Sequence, residues 1–382
     1  MMKNNVIIEL IPGISEGGAE TLVKDYCILL AQKGFQMEVV TLLPPSPNSS
    51  NYRILTDNGI KVSSLDKERW FYNNWILRNL WRYTVRPFYA SYKLAVIIKH
   101  TTPMCIHVHM RMLEYLSRIS SMLKGIKLFY TCHNVPQLFF DNWRSILEKR
   151  AAKKLIRNNG LQLIALHDEM RQELNVMFNV ENTLIIHNGV DFTRFRGVNI
   201  DKSCYRRSLG LSSDDFVVGH IGRFNAQKNH SFLLKVFAVV ASKKSNAKLL
   251  MIGDGALRCR VEQQIAELGL KDKCVILEHR SDIPQLLSIM DVFLFPSLFE
   301  GLPVTLVEAQ VVGLRCVVSN TITKECFFNT NIVDLGLGEP VDKWAHAVLD
   351  NTMTGKYESD IMRFDMNSEI NYLGNLYVGK IQ

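Results

Sequence analysis

The sequence lacks the features by which several large classes of protein are recognised. No apolar run approaches the roughly 20 residues needed to span a bilayer. The apolar run near the N-terminus stops at Pro12 and is too short for a signal peptide. The eight cysteines form no C-x-x-C pair and no Cys/His spacing that suits zinc, and low-complexity tracts are missing. These absences predict a globular cytoplasmic protein whose cysteines are small buried hydrophobes in a reducing compartment.

Acidic residues are scarce in the N-terminal half of the 382-residue chain. Residues 1–190 hold 23 of the 45 Lys and Arg but only 15 of the 37 Asp and Glu, and the other residues hold 22 of each. The whole net charge of +8 therefore lies in the first half. Such a half suits anionic lipid, nucleic acid or a phosphorylated acceptor, although a soluble enzyme with a high isoelectric point has the same balance.

The segment 69–100 contains no acid and is rich in basic and aromatic side chains. It holds Trp70, Trp75 and Trp81, three of the five tryptophans, and a second basic run lies at 144–157. Basic residues among Trp and Tyr are typical of a membrane interface, and they also suit a lipid-diphosphate acceptor. The alternative is that the aromatics pack inward while the cations are solvated. We predict contact with an anionic membrane surface.

Short apolar runs alternate with amphipathic helical segments along the chain. This pattern predicts strands at 6–11, 37–43, 106–108, 128–132, 161–166, 184–186, 215–221, 248–252, 275–277, 292–295 and 316–318. The alternation indicates parallel βαβ units, and its restart after the turn-rich segment 188–211 predicts two doubly wound α/β domains. Since ligands of such sheets bind beyond the C-terminal strand ends, we expect a site in a cleft where the domains face each other.

A glycine-rich loop, Gly13–Glu20, follows the first predicted strand. Gly17 and Gly18 let the backbone approach a ligand closely, and the next helix offers free N–H groups to a phosphate. The loop is neither G-x-G-x-x-G nor a Walker A loop. A tight strand-to-helix turn explains the same glycines, so both interpretations stay open.

Two charged motifs follow predicted strands in the second domain. Arg223 and Lys228 are cations at a strand end, where they suit a diphosphate whose charge grows as its bond to a sugar breaks. Glu300 follows a later strand and is placed to accept hydrogen bonds from sugar hydroxyls. Glu308 lies on the next helix, where it suits a ribose diol. Solvated cations and ordinary helical glutamates are the structural alternatives.

The two glutamates stand as Glu-x7-Glu within E-G-L-P-V-T-L-V-E-A, which resembles the hallmark of glycosyltransferase family 4. Other segments are similar to that family's motifs: G-G-A-E-T-L-V at 17–23, T-C-H-N at 131–134, H-N-G-V-D at 187–191, G-R-F-N-A-Q-K-N at 222–229 and G-D-G at 253–255. Their order and spacing resemble the bacterial capsule and exopolysaccharide branch. The resemblance implies the GT-B fold, with two Rossmann-like doubly wound α/β domains facing a cleft.

The resemblance also implies domain boundaries. Residues 1–190 would bind the acceptor, and residues 191–355 would bind the nucleotide-sugar. Residues 356–382 would form a C-terminal helix that crosses back to the first domain.

The resemblance further implies roles for individual residues. The implied donor-binding residues are Gly17, Gly18, Arg223, Lys228, Arg280, Glu300, Gly301, Leu302, Pro303, Val304 and Glu308. Arg223 and Lys228 would hold the diphosphate, and Glu300 would hold the donor sugar. His133 would reach the transferred sugar or its acceptor, and 279–283 would line the base pocket. No cofactor and no metal are expected, since no D-x-D triad accompanies these motifs.

The implied reaction is retaining transfer of a sugar from a nucleotide diphosphate, UDP favoured, to a lipid-linked or polysaccharide acceptor. No carboxylate pair resembles that of a retaining glycosidase, so the resemblance implies front-face attack, with the departing diphosphate taking the proton. The enzyme would lie at the inner face of the plasma membrane. A non-hydrolysing sugar-nucleotide epimerase and a basic nucleic-acid-binding protein are the alternatives, although no nucleic-acid motif is present. A nicotinamide-dependent oxidoreductase fits the βαβ units but lacks its fingerprint, and a catalytically inactive family member is a further alternative, although the expected cleft residues are present.

Overall fold

The computed structural model describes residues 5–15, 17–67, 74–141, 145–278, 280–352 and 361–380. Several positions singled out above lie outside the described residues, namely Glu16, 69–73, Arg144, His279 and 356–360. The chain divides into two compact units. Unit 1 combines Met1–Asn188 with Asn367–Gln382, and unit 2 is Gly189–Met366.

Unit 1 contains a parallel sheet of seven strands in the order β3-β2-β1-β4-β5-β6-β7. Its strands are β1 (Val6–Ile11), β2 (Gln36–Thr41), β3 (Lys61–Ser64), β4 (Cys105–His109), β5 (Lys127–Thr131), β6 (Gln162–Ala165) and β7 (Leu184–Ile185). The order runs one way from β1 to β3 and the other way from β4 to β7, so it reverses between β1 and β4.

Helices connect the strands of unit 1. They are α1 (Gly18–Gln32), α2 (Ser50–Asp57), α3 (Trp75–Leu80), α4 (Arg86–Thr101), α5 (Leu113–Ser117), α6 (Pro136–Phe140), α7 (Ile146–Asn159) and α8 (Asp168–Phe178), with a π-helical segment, Trp81–Val85, between α3 and α4. The end of α1 shows how local sequence sets these bounds. Gly34 takes a φ of +91°, which favours glycine, and its N–H and that of Phe35 close the helix on Ala31 O and Leu30 O.

Unit 2 contains a parallel sheet of six strands in the order β10-β9-β8-β11-β12-β13. Its strands are β8 (Phe216–Ile221), β9 (Ala247–Ile252), β10 (Cys274–Leu277), β11 (Val292–Phe295), β12 (Arg315–Ser319) and β13 (Ile332–Leu335). Its helices are α9 (Phe192–Arg196), α10 (Lys202–Ser208), α11 (His230–Lys243), α12 (Arg258–Glu267), α13 (Ile283–Ser288), α14 (Val304–Val311) and α15 (Val341–Leu349). Phe237 and Trp344 lie fully buried in the core of this unit.

The last helix, α16 (Met366–Val378), belongs to unit 1 from Asn367 onward. Its Tyr377 is fully buried and donates from its hydroxyl to Glu9 Oε1 at 3.2 Å, and Lys127 Nζ donates to Tyr377 O at 3.0 Å. Among the helices that the structure describes, none is both long and apolar enough to cross a membrane.

The predicted class of two doubly wound α/β domains is confirmed by these two sheets. Each predicted strand overlaps an observed one, but β3 and β13 were not predicted. Both lie at sheet edges. The four residues of β3 include one apolar side chain, and β13 is interrupted by Asp334, so neither forms a continuous apolar run. The unit boundary falls between 188 and 189, two residues before the predicted one.

Candidate functional site

The central strands of unit 2, β8 and β11, lie side by side where the strand order reverses. In open α/β sheets, ligands bind beyond the carboxyl ends of strands at such a reversal. The connection after β8 carries Arg223 and Lys228, and the connection after β11 carries Glu300. The fold therefore brings the residues predicted to bind diphosphate and sugar to the same edge of one sheet.

Lys228 and Glu300 form an ion pair that joins these two connections. Lys228 Nζ donates to Glu300 Oε1 at 2.7 Å, and Gln227 Nε2 donates to Glu300 Oε2 at 3.0 Å. The side chains of Lys228 and Glu300 are only 14% and 8% exposed, so solvent screens this pair less than a surface pair. Lys228 Nζ also lies 4.6 Å from the centroid of the Phe295 ring, a cation–π distance.

Hydrogen bonds between the two connections fix their mutual position. Leu298 N donates to Gln227 O at 2.8 Å, and Asn229 Nδ2 donates to Pro296 O at 3.2 Å. Gln227 thus holds the second connection through its main chain as well as its side chain. Gln227 was not predicted from the sequence. Its signal was its place inside the G-R-F-N-A-Q-K-N segment, directly before the predicted lysine.

The direction of Lys228 is set by a turn and by two close glycines. Asn225 Oδ1 accepts from Lys228 N at 3.2 Å and caps the 3-10 turn Ala226–Lys228. The lysine stem lies over Gly222, where a Cβ would come within 3.0 Å of Lys228 Cδ. Gly253, at a φ of +140°, approaches so closely that its Cβ would lie 2.2 Å from Gly222 O. Larger residues at either glycine would displace the lysine or the loop.

Arg223 is the second cation at this strand end. It follows β8 by two residues, its side chain is exposed, and it has no ion pair or hydrogen bond from its guanidinium to any residue that the structure describes. A guanidinium offers five donors in a fork that matches phosphate oxygens. Because Glu300 balances the charge of Lys228, Arg223 is the cation of the β8 connection that no described carboxylate pairs with.

The predicted segment Gly301–Val304 leads into α14. Gly301, Leu302 and Pro303 are buried, Pro303 is the N-cap, and Val304 begins the helix. The first-turn amides of a helix have no helical acceptor and carry the positive end of its dipole. Glu308 is partly buried and stands four residues after Val304, so both lie on one helix face.

Arg280 has partners of its own in unit 2. It follows the edge strand β10, and its Nε and Nη2 donate to the two carboxylate oxygens of Asp282 at 2.8 and 2.5 Å. Asp282 also accepts a hydrogen bond from the Tyr205 hydroxyl. These bonds lower the pKa of Asp282 to about 2 and raise that of Arg280. β10 is separated from β8 by β9, so Arg280 follows a strand two positions from β8, which carries Arg223 and Lys228 at its end, and three positions from β11, which Glu300 follows.

The glycine-rich loop of unit 1 follows β1, at the reversal between β1 and β4. Gly17 is the N-cap of α1, and Gly18 is its first residue. A Cβ on Gly18 would meet no atom of the described chain within 4 Å. The described residues therefore leave open space at this position, and a ligand contact at Gly18 stays a prediction.

His133 follows β5 and heads a chain of buried polar groups. Its Nε2 lies 2.9 Å from His109 Nδ1, and His109 Nε2 lies 2.7 Å from Glu9 Oε2. His109 and Glu9 are fully buried on β4 and β1, the strands that flank the reversal. His133 Nδ1 is buried and has no hydrogen-bond partner among the described residues.

The other oxygen of Glu9 continues the chain. The Tyr377 hydroxyl, which donates to Glu9 Oε1, also lies 2.5 Å from His107 Nδ1, and His107 Nε2 lies 2.7 Å from Thr131 Oγ1. Burial raises the pKa of Glu9 to about 8 and lowers that of His109 to about 3. His109 is therefore neutral at physiological pH.

Apart from His133, this chain was not predicted from the sequence. The available signal was polar residues inside buried strands: Glu9 within V-I-I-E-L-I and the histidines of H-V-H on β4. The pairing of Glu9 with His107 in the β1–β4 register could not be read from the sequence, because it depends on the strand order.

Glu9, His107 and His109 place metal-ligand atoms within 4.8 Å of one another. However, each imidazole nitrogen already faces a protein partner: those of His107 face Tyr377 and Thr131, and those of His109 face Glu9 and His133. The geometry therefore favours a hydrogen-bonded chain over a metal centre.

The fold is that of known sugar-transferring enzymes. The chain is similar to Anabaena HepE, solved in complex with UDP and glucose, with a TM-score of 0.76 and 20% identity over 98% of this chain and 99% of that one. It is also similar to WaaG, a glycosyltransferase involved in lipopolysaccharide biosynthesis, with a TM-score of 0.73 and 14% identity over 98% and 100%. The protein has the GT-B fold of glycosyltransferases, as predicted.

Sequence comparisons define the family. The model for "Glycosyltransferase Family 4" matches residues 16–194, and that for "Glycosyl transferases group 1" matches residues 201–327. Putative glycosyltransferase EpsF of Bacillus subtilis (strain 168) is 27% identical over 97% of this chain and 96% of its own length. An Escherichia coli UDP-Gal:alpha-D-GlcNAc-diphosphoundecaprenol alpha-1,3-galactosyltransferase is 26% identical over 72% and 75%. The chain belongs to glycosyltransferase family 4 and is a glycosyltransferase.

Proposed function

We propose that this enzyme transfers a sugar, with retention of configuration, from a UDP-sugar to a lipid-linked or polysaccharide acceptor in surface polysaccharide biosynthesis. The observation that carries the proposal is the pairing of Lys228 with Glu300, beside Arg223, at the strand reversal of unit 2. UDP is favoured because HepE was solved with UDP and with UDP-glucose, and because the Escherichia coli relative is named for a UDP-sugar and a diphosphoundecaprenol acceptor.

Two cations at this edge supply charge where the reaction needs it. As the bond between sugar and diphosphate breaks, negative charge grows on the departing phosphate oxygen. Arg223 and Lys228 would hold that phosphate, the task that a divalent metal has in other transferases, so we propose a metal-independent reaction without a cofactor. In front-face attack the acceptor hydroxyl enters beside the diphosphate, and the hydroxyl proton passes to the departing phosphate oxygen.

The two glutamates and the helix N-terminus would hold the rest of the donor. Glu300 is fixed by Lys228 and Gln227 and would accept from hydroxyls of the sugar. The amides near Val304 would bind oxygen atoms at the positive end of α14. Glu308, one turn further along the same helix face, would accept from the ribose diol. In unit 1, Gly17 and Gly18 would leave room for phosphate and acceptor, and His133 would contact a substrate hydroxyl.

The donor is tested by thermal unfolding of the wild-type protein with UDP-, GDP- and ADP-sugars, and with UMP, which lacks the second phosphate. A ligand at about 100 times its Kd stabilises the folded state by about 2.7 kcal/mol, which raises Tm by several degrees. We expect UDP-sugars and UDP to give the largest shift and UMP a much smaller one. An equal shift with UMP would argue against the diphosphate site, and a larger shift with GDP- or ADP-sugars would overturn the choice of UDP.

The membrane contact predicted for segment 69–100 is supported by an exposed aromatic surface in its described part. The exposed fractions are 68% for Trp75, 69% for Tyr83, 66% for Phe88 and 67% for Tyr92. Exposed cations accompany these rings, at Arg78, Arg82 and Lys93. Apolar rings beside cations suit the interface of an anionic bilayer. We propose that this surface, residues 74–101, holds unit 1 at the cytoplasmic membrane face, where a lipid-linked acceptor lies.

Vesicle sedimentation tests this contact. We expect the protein to bind anionic vesicles at low salt, to bind neutral vesicles weakly, and to be released as salt rises. Replacing Trp75, Tyr83 and Tyr92 by serine should weaken binding by about tenfold or more, because the rings supply the buried apolar area.

The matched control for vesicle binding replaces two exposed apolar residues elsewhere in unit 1, Leu138 and Val176, which are 54% and 84% exposed. This control variant should bind vesicles like the wild type. Failure of the wild type to bind anionic vesicles at low salt, or equal loss in both variants, would end the proposal. Salt-dependent retention of oligonucleotides in place of vesicles would favour a nucleic-acid partner instead.

A further inference from the structure

The buried chain Thr131–His107–Tyr377–Glu9–His109–His133, here called the Glu9 chain, has a defined pattern of hydrogen atoms. It consists of one carboxylate and five other groups that can each donate a hydrogen bond: a threonine hydroxyl, three imidazoles and a phenol. The Tyr377 hydroxyl donates to Glu9 Oε1, which leaves His107 Nδ1–H to donate to the phenol oxygen and His107 Nε2 to accept from Thr131. This arm of the chain keeps its hydrogens when Glu9 is neutral with its proton on Oε2, the oxygen that faces His109.

The other arm depends on the charge of Glu9. When Glu9 is ionised, Oε2 can only accept, so the 2.7 Å contact requires a hydrogen on His109 Nε2. A neutral His109 then has a lone pair on Nδ1, and the 2.9 Å contact requires a hydrogen on His133 Nε2. Neutral His133 is left with a lone pair on Nδ1.

Protonation of Glu9 reverses each of these bonds. The acid O–H donates to His109 Nε2, His109 Nδ1–H donates to His133 Nε2, and the hydrogen of His133 moves to Nδ1. One proton is added in total, at Glu9, and each imidazole exchanges one N–H for the other and stays neutral. The ring atoms stay in place, because the same heavy-atom contacts serve both states.

We propose that Glu9 and His109 are positioning residues that set, through this chain, whether His133 Nδ1 accepts or donates a hydrogen bond. Nδ1 is the one ring nitrogen of the chain without a protein partner among the described residues, and because it is buried, contact with a substrate hydroxyl would require the atoms that cover it to move. The substrate contact rests on the role proposed above for His133. The tautomer control itself rests only on the contacts within unit 1.

The groups around Glu9 allow its carboxyl group to change protonation state at a pH that can be reached experimentally. Besides His107, His109 and Tyr377, the described groups that interact with its charge include the thiols of Cys27 and Cys105, which burial keeps protonated by raising their pKa. No lysine or arginine among the described residues forms an ion pair with Glu9. Burial is the largest cause of its raised pKa of about 8, and the Tyr377 hydrogen bond opposes it. Below that pH Nδ1 of His133 carries a hydrogen, and above it the atom has a lone pair.

Nitrogen NMR of the full-length protein tests the tautomers without any substrate. In protein labelled with 15N only at histidine, the ring nitrogen that carries hydrogen resonates well apart from the one with a lone pair. We expect the two ring nitrogens of His109 and His133 to exchange character together as pH rises through about 8. His107 should keep one tautomer throughout. His220 of unit 2, whose Nδ1 faces Leu294 O at 2.9 Å, should also stay fixed. Independent or absent changes at His109 and His133 would overturn the proposal.

Two variants separate the effect of the Glu9 chain on the tautomer of His133 from general effects of substitution on the structure. Glu9→Gln places an N–H2 towards His109 and mimics the protonated acid, so it should hold His133 in the Nδ1–H form at every pH. Tyr377→Phe removes one hydrogen bond to the carboxylate but keeps the arm to His133, so the exchange should remain and move to higher pH. A Glu9→Gln protein in which His133 still changes tautomer near pH 8 would exclude Glu9 as the controlling group.

Measurements of activity test whether the tautomer of His133 affects the proposed reaction. We expect kcat/KM of the wild type to differ by about tenfold between the two limbs of its pH profile, the size of one hydrogen bond made or lost. Glu9→Gln should show no step and should match the low-pH limb. If the tautomers exchange but activity has no step in either protein, the chain operates as proposed while His133 does not contact substrate. If activity steps without tautomer exchange, the Glu9 chain is refuted and the proposed transfer reaction stands.

Discussion

Replacing both Arg223 and Lys228 by alanine is expected to lower kcat by about 10³- to 10⁴-fold. Removing one preorganised donor from a site of developing charge costs about 10²- to 10³-fold in known enzymes, and two cations on one diphosphate are partly redundant. The measurement is release of the nucleoside diphosphate from a UDP-sugar with a lipid-extract acceptor. The loss should fall mainly on kcat, since the charge that the cations stabilise grows as the bond breaks.

The two single variants should differ, because the two cations have different surroundings. Lys228 pairs with Glu300, and the stem of the lysine packs over Gly222. Removing the lysine side chain therefore leaves the partly buried Glu300 carboxylate without a cation. Arg223 is exposed, so its removal disturbs little besides the charge. We therefore expect Lys228→Ala to lower Tm as well as activity, and Arg223→Ala to lower activity alone.

The matched control removes two cations from the same unit. Lys243 is about half-exposed and pairs with Asp342, and Arg260 is exposed on α12. Replacing both by alanine removes the same net charge away from the strand reversal and should leave kcat within about twofold, since exposed pairs contribute little. An equal loss of kcat in both double variants would show that the overall electrostatic field of the protein, and not Arg223 and Lys228 in particular, supports the reaction.

The strand pattern was readable because the central strands are mostly apolar, although Glu9 interrupts β1 and two histidines interrupt β4. β1, β4, β8 and β11 are buried on both faces, and such runs stand out against the polar connections. The edge strands β3 and β13 escaped notice because an edge strand needs fewer apolar residues. Fold class therefore followed from local pattern, whereas the strand order that defines the two reversals depends on long-range pairing that no short window contains.

The unit 2 site was readable for a related reason. Arg223, Lys228 and Glu300 each follow a predicted strand, and the carboxyl ends of parallel strands share one edge. The ion pair between Lys228 and Glu300 was not predicted, since the two residues had been given separate tasks. Their contact changes the interpretation of the lysine, because one partner is a protein carboxylate and only part of its charge remains for a phosphate.

The unit 1 chain was hidden because its members are scattered. Glu9, His107 and Tyr377 stand in different parts of the sequence, and the first two sit within strands where core packing is the ordinary explanation. What could have drawn attention is the cost of burying a carboxylate, which requires partners. The structure supplies those partners from β4 and from α16, the helix at the far end of the chain.

Replacing Glu300 by alanine is expected to lower kcat/KM by about 10²- to 10³-fold while leaving the affinity for UDP intact or increased. Glu300 would hold the sugar, which UDP lacks, and its loss frees Lys228 to pair fully with phosphate. Replacing Glu308 by alanine should weaken UDP binding, because the ribose diol would lose its acceptor. The affinity for UDP should fall and the KM for the donor should rise.

The two glutamate variants serve as controls for each other. Both remove one negative charge, and the two positions are eight residues apart, one in the connection after β11 and one on α14. Thermal shifts with UDP measure nucleotide binding, and release of UDP from a UDP-sugar measures transfer. If Glu300→Ala loses UDP affinity as strongly as Glu308→Ala, then Glu300 supports the loop through Gln227 and Lys228 without touching sugar. Glu300→Gln places an N–H2 against one of two donors, Lys228 Nζ or Gln227 Nε2, so a loop-supporting role predicts lower Tm and lower UDP affinity in this variant too, whereas a sugar-binding role predicts a loss of transfer alone.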